Sequence, residues 1–225
     1  MEAVFLDQIF KTYQDREIQV PALTDLSLRI QPGELVVLAG PSGSGKTTLL
    51  NIIGTLDQPD RGRVFLEGRD VSRLPHNTLA EIRLKTIGFI FQSSNLISVL
   101  TAQENIEYVL LLQGMASTMR REKSQAILKA VGLEGLAGRR PWQMSGGQAQ
   151  RAAVARAVVA EPRLILADEP TANLDSKTGE QLIDLLEFYN QAKLITFIIA
   201  SHDPMVIQRA KRVIPLKDGK VVGDF

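Results

Sequence analysis

The spacing of hydrophobic and polar residues changes along this chain, and each change predicts a different element. Over residues 3–30, apolar and polar positions alternate, which is typical of half-buried antiparallel strands. The alternating apolar positions are Val4, Leu6, Ile9, Leu26, Leu28 and Ile30. Further along the chain, mostly apolar stretches between turn residues predict buried strands. These stretches cover residues 34–39, 86–91, 164–167 and 195–200.

Helical spacing dominates the middle of the chain and returns after the third apolar stretch. The predicted helices cover residues 48–53, 101–112, 118–131, 146–160 and 178–189. Strands that alternate with helices favour a mostly parallel sheet with helices on both faces. The helical part between strands 86–91 and 164–167 is too long for a single crossover, so we expect it to form an inserted lobe.

These elements predict an α/β fold with a mostly parallel sheet, an N-terminal antiparallel β-subdomain and an α-helical lobe. We expect a single domain over residues 1–225. Its catalytic core, including the β-subdomain, would comprise residues 1–92 and 161–225. Residues 93–160 would form the helical lobe.

Composition narrows the range of partners. The 26 basic and 25 acidic residues give a net charge of +1, which offers no electrostatic footprint for nucleic acid. The chain has no cysteine, so it has neither a disulfide framework nor a thiolate zinc site, which is compatible with a reducing cytoplasm. No apolar stretch approaches the roughly 18 residues that a membrane span needs. Any action at a membrane would therefore go through a partner.

The segment Gly40–Thr47 fits the pattern G-x-x-x-x-G-K-[ST] of a phosphate-binding P-loop. A buried strand precedes it and a helix follows, so backbone N–H groups and the positive end of the helix dipole face one anion site. Lys46 would bind the β- and γ-phosphates, and Thr47 would offer its hydroxyl to Mg²⁺. A glycine-rich turn that binds nothing is the alternative, and the strand–loop–helix context disfavours it. The expected nucleotide-binding residues are Gly40, Ser42, Gly43, Ser44, Gly45, Lys46, Thr47 and Thr48.

The apolar strand 164–167 ends in two carboxylates, Asp168 and Glu169. Isolated buried carboxylates are costly, so buried strands seldom end this way unless the charges meet a cation or a proton donor or acceptor. Asp168 would lie near Mg²⁺, through water, and Glu169 would polarise the attacking water as general base. The alternative is a strand end that exits to solvent, and the P-loop upstream favours the functional interpretation.

Ser145–Gln148 precedes an alanine-rich helix and fits S-x-x-Q, the pattern of a capping box. A well-capped helix is therefore a sufficient structural explanation. The same geometry, with two glycines beside a helix N-terminus, also makes a second anion site. Two phosphate sites far apart in one sequence suggest that each nucleotide is shared between two chains.

Together these motifs resemble the nucleotide-binding subunit of an ATP-binding cassette (ABC) transporter over essentially the whole chain. Gly40–Thr47 would be its Walker A motif, Leu164–Glu169 its Walker B motif and Met144–Gln148 its signature sequence. The resemblance implies a P-loop NTPase fold, Mg²⁺-dependent ATP hydrolysis and a head-to-tail dimer that sandwiches ATP. The signature residues expected to contact ATP are Ser145, Gly146, Gly147 and Gln148.

Four further residues take roles from the same resemblance. Gln92 would complete the Mg²⁺ shell and take part in catalysis, and His202 would contact the γ-phosphate or the attacking water. Tyr13 would stack on adenine, and Asp175 would lie at the dimer interface beside the nucleotide. Structural alternatives are a strand-end cap for Gln92, a core histidine for His202 and an ordinary strand aromatic for Tyr13. Asp175 also suits a helix N-cap, and both roles can coexist; the other histidine, His76, is expected in an exposed polar loop.

Several stretches, among them Leu49–Asp57, Ile87–Gln92 and Asn173–Gly179, resemble the lipoprotein-releasing and macrolide-exporting branch of the family. Members of that branch pair with a membrane subunit and are thought to transmit force across the membrane. Met144 and Ala149 depart from the usual Leu and Gln of the signature region. Neither departure removes a catalytic group, so we expect an active ATPase.

The resemblance implies a subunit that powers a separate membrane permease, for export, lipoprotein release or mechanotransmission. It would act at the cytoplasmic face of the inner membrane, with residues Gln92–Asn105 against a cytoplasmic helix of the permease. One alternative is a nucleotide-dependent scaffold of a membrane complex, such as a cell-division assembly, with little transport. Another is a soluble ATPase acting on nucleic acid or ribosomes, which the near-neutral charge disfavours.

Overall fold

The computed structural model of the chain describes residues 1–15 and 18–223, and these ranges contain ten strands and seven α-helices. The strands are β1 (Val4–Asp15), β2 (Ile18–Ile30), β3 (Leu35–Ala39), β4 (Arg61–Leu66), β5 (Arg69–Asp70), β6 (Ile87–Ile90), β7 (Leu164–Asp168), β8 (Thr196–Ser201), β9 (Arg212–Lys217) and β10 (Lys220–Val221). The helices are α1 (Lys46–Ile53), α2 (His76–Thr86), α3 (Ala102–Leu112), α4 (Ser117–Ala130), α5 (Gly146–Val158), α6 (Ser176–Lys193) and α7 (Pro204–Arg209).

A four-stranded antiparallel sheet lies near the N-terminus, with strand order β2–β1–β4–β5. Strands β1 and β2 pair along nearly their whole length, from Val4 opposite Ile30 to Tyr13 opposite Val20 and beyond. Their alternating apolar residues are buried on one face, as the period of two in their sequence predicts. The predicted antiparallel β-subdomain is therefore present.

The second sheet has six strands in the order β10–β9–β3–β8–β7–β6. All its strand pairs are parallel except β9 with the edge strand β10. Strands β3, β7 and β8 are almost wholly buried because α1 and the antiparallel sheet cover one face and α5 and α6 cover the other. Their carboxyl ends, at Ala39, Asp168 and Ser201, meet at one edge of the sheet, which is where ligands of open α/β sheets bind.

Two hydrophobic clusters hold this sheet, one on each face. The first joins the antiparallel sheet and α1 to the parallel sheet, and it includes Leu38 and Leu49. The second packs α5 and α6 on the opposite face, and it includes Val37 and Leu186. Leu38 and Val37 are neighbours in β3 and point to opposite faces, as a strand requires.

A third hydrophobic cluster joins α3, α4 and α5 around Ile106, Leu128 and Ala152. Helix α3 begins with a capping box between Thr101 and Glu104. The fully buried Asn105 donates to three carbonyl oxygens of the preceding turn and accepts one N–H from it, which fixes that turn. Helix α5 belongs to this cluster and to the second sheet-facing cluster, so it links the helical part to the core.

The predicted fold class is confirmed, and two of the seven helices, α2 and α7, are not among the five predicted ones. His76, which the sequence places in a loop, is the exposed first residue of α2. This helix buries only Leu79 and follows Pro75 without a side-chain cap, so it lacks the usual sequence signals. Among the described residues, none of the helices combines the length and the apolar character needed to cross a membrane.

Candidate nucleotide-binding and catalytic site

A cleft of about 340 Å³ opens at the carboxyl edge of the parallel sheet, beside the N-terminus of α1. It brings together the P-loop, the ends of β6, β7 and β8, and one stretch of β2. The lining residues are Val20, Pro21, Ala22, Ser42, Gly43, Gly45, Lys46, Thr47, Thr48, Gln92, Asp168, Glu169 and His202.

The P-loop backbone leaves the first N–H groups of α1 available to a ligand. Gly45 precedes the helix with φ +102°, and no side chain caps it. A Cβ at Gly45 would lie 2.7 Å from the Ala22 carbonyl oxygen, so the close approach requires glycine. An uncapped helix N-terminus behind a glycine loop is suited to binding an anion.

Lys46 is folded over the P-loop, with its side chain 6% exposed. Its Nζ donates to the carbonyl oxygens of Gly40 at 2.6 Å and Pro41 at 3.1 Å, and lies 3.6 Å from Glu169 Oε1. These contacts fix the ammonium group at the inner wall of the cleft. They put a positive charge beside the free N–H groups of α1.

Thr47 and Asp168 meet at the floor of the cleft, where Thr47 Oγ1 donates to Asp168 Oδ2 at 2.9 Å. The other carboxylate oxygen, Oδ1, is buried and has no hydrogen-bond partner among the described residues. Burial raises the pKa of the Asp168 carboxyl above its ordinary value, by more than the hydrogen bond from Thr47 lowers it. A hydroxyl and a carboxylate are hard oxygen donors of the kind that Mg²⁺ prefers. The donor set and the orphaned Oδ1 therefore fit the predicted Mg²⁺ site.

Glu169 follows β7 in the left-handed backbone region, with φ 45°. Such a conformation costs a non-glycine residue about 1–3 kcal/mol. The Glu169 N–H is held by the Ala200 carbonyl at 2.9 Å, and its side chain is 14% exposed. Oε1 lies 2.8 Å from His202 Nδ1, and Oε2 accepts from Ser201 Oγ at 3.4 Å. The His202 side chain is 65% exposed, which excludes the alternative of a core histidine.

Gln92 lies just beyond β6 and lines the cleft. Its carbonyl oxygen accepts from Asn173 Nδ2 at 3.1 Å, and the preceding carbonyl accepts from Gln150 Nε2 at 2.9 Å. Arg156 donates to two carbonyls slightly downstream. Side chains of α5 and of the turn before α6 therefore hold the backbone around Gln92.

Ser145–Gln148 does not line the cleft. Ser145 Oγ accepts from the Gln148 N–H at 3.3 Å, and Gln148 Oε1 accepts from the Ser145 N–H at 2.9 Å, which is the predicted capping box. A Cβ at Gly147 would collide with Thr178, whose N–H and Oγ1 donate to Asp175 at 3.0 and 2.6 Å. Asp175 is thus the N-cap of α6. We call Ser145–Gln148, Asp175 and Thr178 the signature cluster.

Tyr13 also lies outside the lining of the cleft. Its hydroxyl donates to Asp57 Oδ2 at 2.7 Å, while its strand partner Val20 does line the cleft. Ser44 is 3% exposed, and its Oγ has no hydrogen-bond partner among the described residues. Gly40 likewise contributes a carbonyl to Lys46 rather than a wall of the cleft. Direct nucleotide contacts by these residues stay predictions.

Sequence reasoning missed some residues around the cleft. Val20, Pro21 and Ala22 border it, but apolar strand residues carry no signal of ligand contact. Asn173, which holds the Gln92 carbonyl, stands in a recognised motif without an obvious partner. Only the tertiary structure brings that amide to the end of β6.

A strand, a glycine loop, an uncapped helix and two carboxylates at the end of β7, two strands along the same sheet, define a P-loop nucleoside triphosphatase. Comparison with known proteins identifies the family within this class. Residues 23–172 match the family described as ABC transporter. An uncharacterized ABC transporter ATP-binding protein of Thermotoga maritima is 42% identical, over 97% of this chain and 93% of that protein.

Two further comparisons agree. The macrolide export ATP-binding/permease protein MacB of Hyphomonas neptunium is 45% identical over 97% of this chain, which spans 34% of that longer protein. The cassette MJ0796, solved as a dimer in a post-hydrolysis state with ADP and phosphate, is 43% identical and matches with a TM-score of 0.93. That match covers 99% of this chain and 97% of the MJ0796 chain. The chain belongs to the ABC transporter family and is an ATP-binding, ATP-hydrolysing cassette of that family.

Proposed function

We propose that this chain is the Mg²⁺-dependent ATPase subunit of a membrane transporter, and that two copies enclose ATP between them. The observation that carries the proposal is a division of the site residues. The P-loop, Asp168, Glu169 and His202 share one cleft, whereas the signature cluster lies outside it. The dimeric MJ0796 cassette with bound ADP and phosphate supports a paired arrangement.

The P-loop side of the cleft would bind the triphosphate. Lys46 supplies a fixed positive charge, and the uncapped N–H groups of α1 supply hydrogen-bond donors. Thr47, Asp168 and Gln92 would hold Mg²⁺, with Asp168 acting through water. When bound, this ion would neutralise charge on the phosphate oxygens.

Glu169 and His202, on the opposite wall of the cleft, would activate the attacking water. Glu169 is a carboxylate whose position is set by its backbone hydrogen bond and by contacts with His202 and Ser201. It would accept the proton of the attacking water, while His202 stays close enough to orient that water or the γ-phosphate. Catalysis would then rest mainly on positioning and charge stabilisation, as in phosphoryl transfer generally.

The signature cluster would act on the nucleotide of the partner copy. Ser145 and Gly146 are exposed, and Ser145 keeps its hydroxyl hydrogen available because Oγ is the acceptor in the capping box. Asp175 and Gln148 are fixed in the same cluster by their own hydrogen bonds. Hydrolysis would remove the γ-phosphate that bridges the two copies and so favour opening of the dimer.

A membrane subunit would contact residues Gln92–Asn105, at the start of the proposed helical lobe of residues 93–160. Ile97 and Val99 in this segment are 37% and 68% exposed. Beside it lies a groove of about 360 Å³ with mostly apolar walls, among them Phe91 and Val109. The fusion of a cassette to a permease in proteins named MacB supports such a partner. The chain would then work at the cytoplasmic face of the membrane.

The substitution Glu169→Gln tests the catalytic assignment. We expect ATP turnover to fall about 10²–10⁴-fold, the usual contribution of general base catalysis, while ATP binding persists. ATP should then trap a dimer detectable by light scattering. The matched control is Glu122→Gln on the exposed face of α4, which should behave as the parent chain. Normal turnover by the Glu169→Gln chain would refute the assignment.

The rate of hydrolysis in the presence of a membrane partner separates a transporter subunit from a scaffold. The co-purified complex should hydrolyse ATP faster than the isolated chain. A complex that forms in an ATP-dependent manner but does not raise the rate would favour the scaffold.

A further inference from the structure

The Tyr13 hydroxyl is anchored to the segment that follows the P-loop helix. It donates to Asp57 Oδ2 at 2.7 Å, and the Asp57 N–H in turn donates to the Asn51 carbonyl of α1 at 3.2 Å. Asp57 lies just beyond the end of α1. The hydroxyl edge of the Tyr13 ring is therefore tied, through Asp57, to the C-terminal end of the P-loop helix.

Asp57 is itself held tightly. Its Oδ1 accepts from Lys11 Nζ at 2.7 Å and from the Gln58 N–H at 2.7 Å. Burial would raise the pKa of the Asp57 carboxyl, but hydrogen bonds from Lys11, Tyr13 and the backbone outweigh it, so this pKa lies below its ordinary value. The carboxylate is therefore ionised and bonded through both oxygens.

Lys11 adds a second restraint on the ring. Its side chain is 12% exposed, and Nζ also donates to the Gln58 carbonyl at 2.9 Å. Nζ lies 5.1 Å from the centroid of the Tyr13 ring, within the range of a cation–π interaction. The ring is thus held at its hydroxyl edge by Asp57 and attracted to the Lys11 ammonium group.

We propose that Asp57 and Lys11 are positioning residues that hold the Tyr13 ring at a fixed place relative to α1, ready to stack on the base of the nucleotide. This inference rests on the proposed stacking of adenine on Tyr13. The Tyr13 hydroxyl contributes by fixing the position of the ring rather than by contact with the base. Holding the ring beforehand lowers the entropy lost when the nucleotide binds.

Comparing ATP with inorganic tripolyphosphate isolates this effect, because tripolyphosphate needs the P-loop and has no base. Dissociation constants for both would be measured by calorimetry, with Mg²⁺, for the parent chain and three variants: Tyr13→Phe, Asp57→Ala and Tyr13→Ala. Tyr13→Phe keeps the ring and removes only the anchoring hydroxyl. Tyr108→Phe is the matched control, since Tyr13 and Tyr108 are both 40% exposed and Tyr108 lies on α3.

We expect Tyr13→Phe and Asp57→Ala each to weaken ATP binding about 3–10-fold, the loss of roughly one hydrogen bond, and to leave tripolyphosphate binding unchanged. Tyr13→Ala should weaken ATP binding more. If the Tyr13→Phe chain binds ATP as tightly as the parent chain, the positioning role is refuted. It is also refuted if Asp57→Ala weakens the binding of ATP and of tripolyphosphate equally. If Tyr13→Ala leaves the ratio of the two affinities unchanged, the stacking proposal itself fails.

Discussion

The N-termini of α1 and α5 differ in what satisfies their first backbone N–H groups. Helix α1 follows Gly45 and has no side-chain cap. Helix α5 follows Ser145, whose hydroxyl accepts one of the helix N–H groups while Gln148 reaches back in a capping box. The first N–H groups of α1 therefore stay available to a ligand, whereas the capping box already binds one of the first N–H groups of α5.

Their surroundings differ in the same sense. Beside α1, Lys46 and Thr47 contact the carboxylates of Glu169 and Asp168 at the end of β7. Beside α5, the signature cluster bonds within itself and leaves Ser145 exposed. The cleft beside α1 is therefore assembled from elements of one chain, whereas the signature cluster lies outside that cleft with Ser145 exposed at the surface.

The largest effect on ATP affinity is expected from Lys46→Met, which alters the cleft beside α1. It removes the buried ammonium group that faces the loop and Glu169. Charge-assisted hydrogen bonds contribute about 1.5–3 kcal/mol, so ATP should bind roughly 10–100-fold more weakly. Calorimetry on the isolated chain measures this loss, with Lys129→Met on the exposed end of α4 as control. Unchanged affinity would mean that α1 is not the primary phosphate site.

Ser145→Ala should distinguish the role of the α5 N-terminus from that of the α1 N-terminus. Monomeric chains should bind ATP as before, but ATP-dependent dimerisation and turnover should be lost. The matched control is Thr101→Ala, because Thr101 closes an equivalent capping box on α3. Each substitution should cost about 1 kcal/mol of unfolding free energy through the lost cap. If Thr101→Ala impairs dimerisation equally, the signature effect is only one of stability.

The smallest effect is expected from Asp168→Asn on the stability of the nucleotide-free chain. Because burial raises the folded-state pKa of Asp168, the ionised form is disfavoured by folding at neutral pH. The Asn variant should therefore have a higher Tm at pH 7 than the parent, although it hydrolyses ATP poorly. That gain should shrink as pH falls from the raised pKa towards about 3.9, the ordinary value for aspartate. A lower Tm for the variant at pH 7 would contradict the role of burial.

Much of this architecture could be predicted because its sequence signals are local. The alternation in β1 and β2 and the apolar runs of β3, β7 and β8 encode burial directly. The capping box at Ser145 follows from residue types three positions apart. The P-loop follows from glycine positions that leave the backbone free to curl around an anion.

What could not be predicted depends on contacts between distant residues. Helix α2 buries a single leucine and lacks a cap, so no local pattern marks it. The anchor between Tyr13 and Asp57 joins residues 44 positions apart and needs the exact placement of α1 beside β1. The left-handed backbone of Glu169 likewise has no marker in a residue that usually avoids that conformation.

Thiol cross-linking between two chains tests most directly whether the α5 site serves a second copy. The chain has no cysteine, so only introduced thiols react. In the Glu169→Gln background, one chain would carry Ser42→Cys in the P-loop and the other Ser145→Cys. If the two copies share ATP, ATP and a short bifunctional reagent should give a covalent dimer of the two different chains. An ATP-dependent yield no higher than that of a pair carrying Ser98→Cys in place of Ser145→Cys would contradict it.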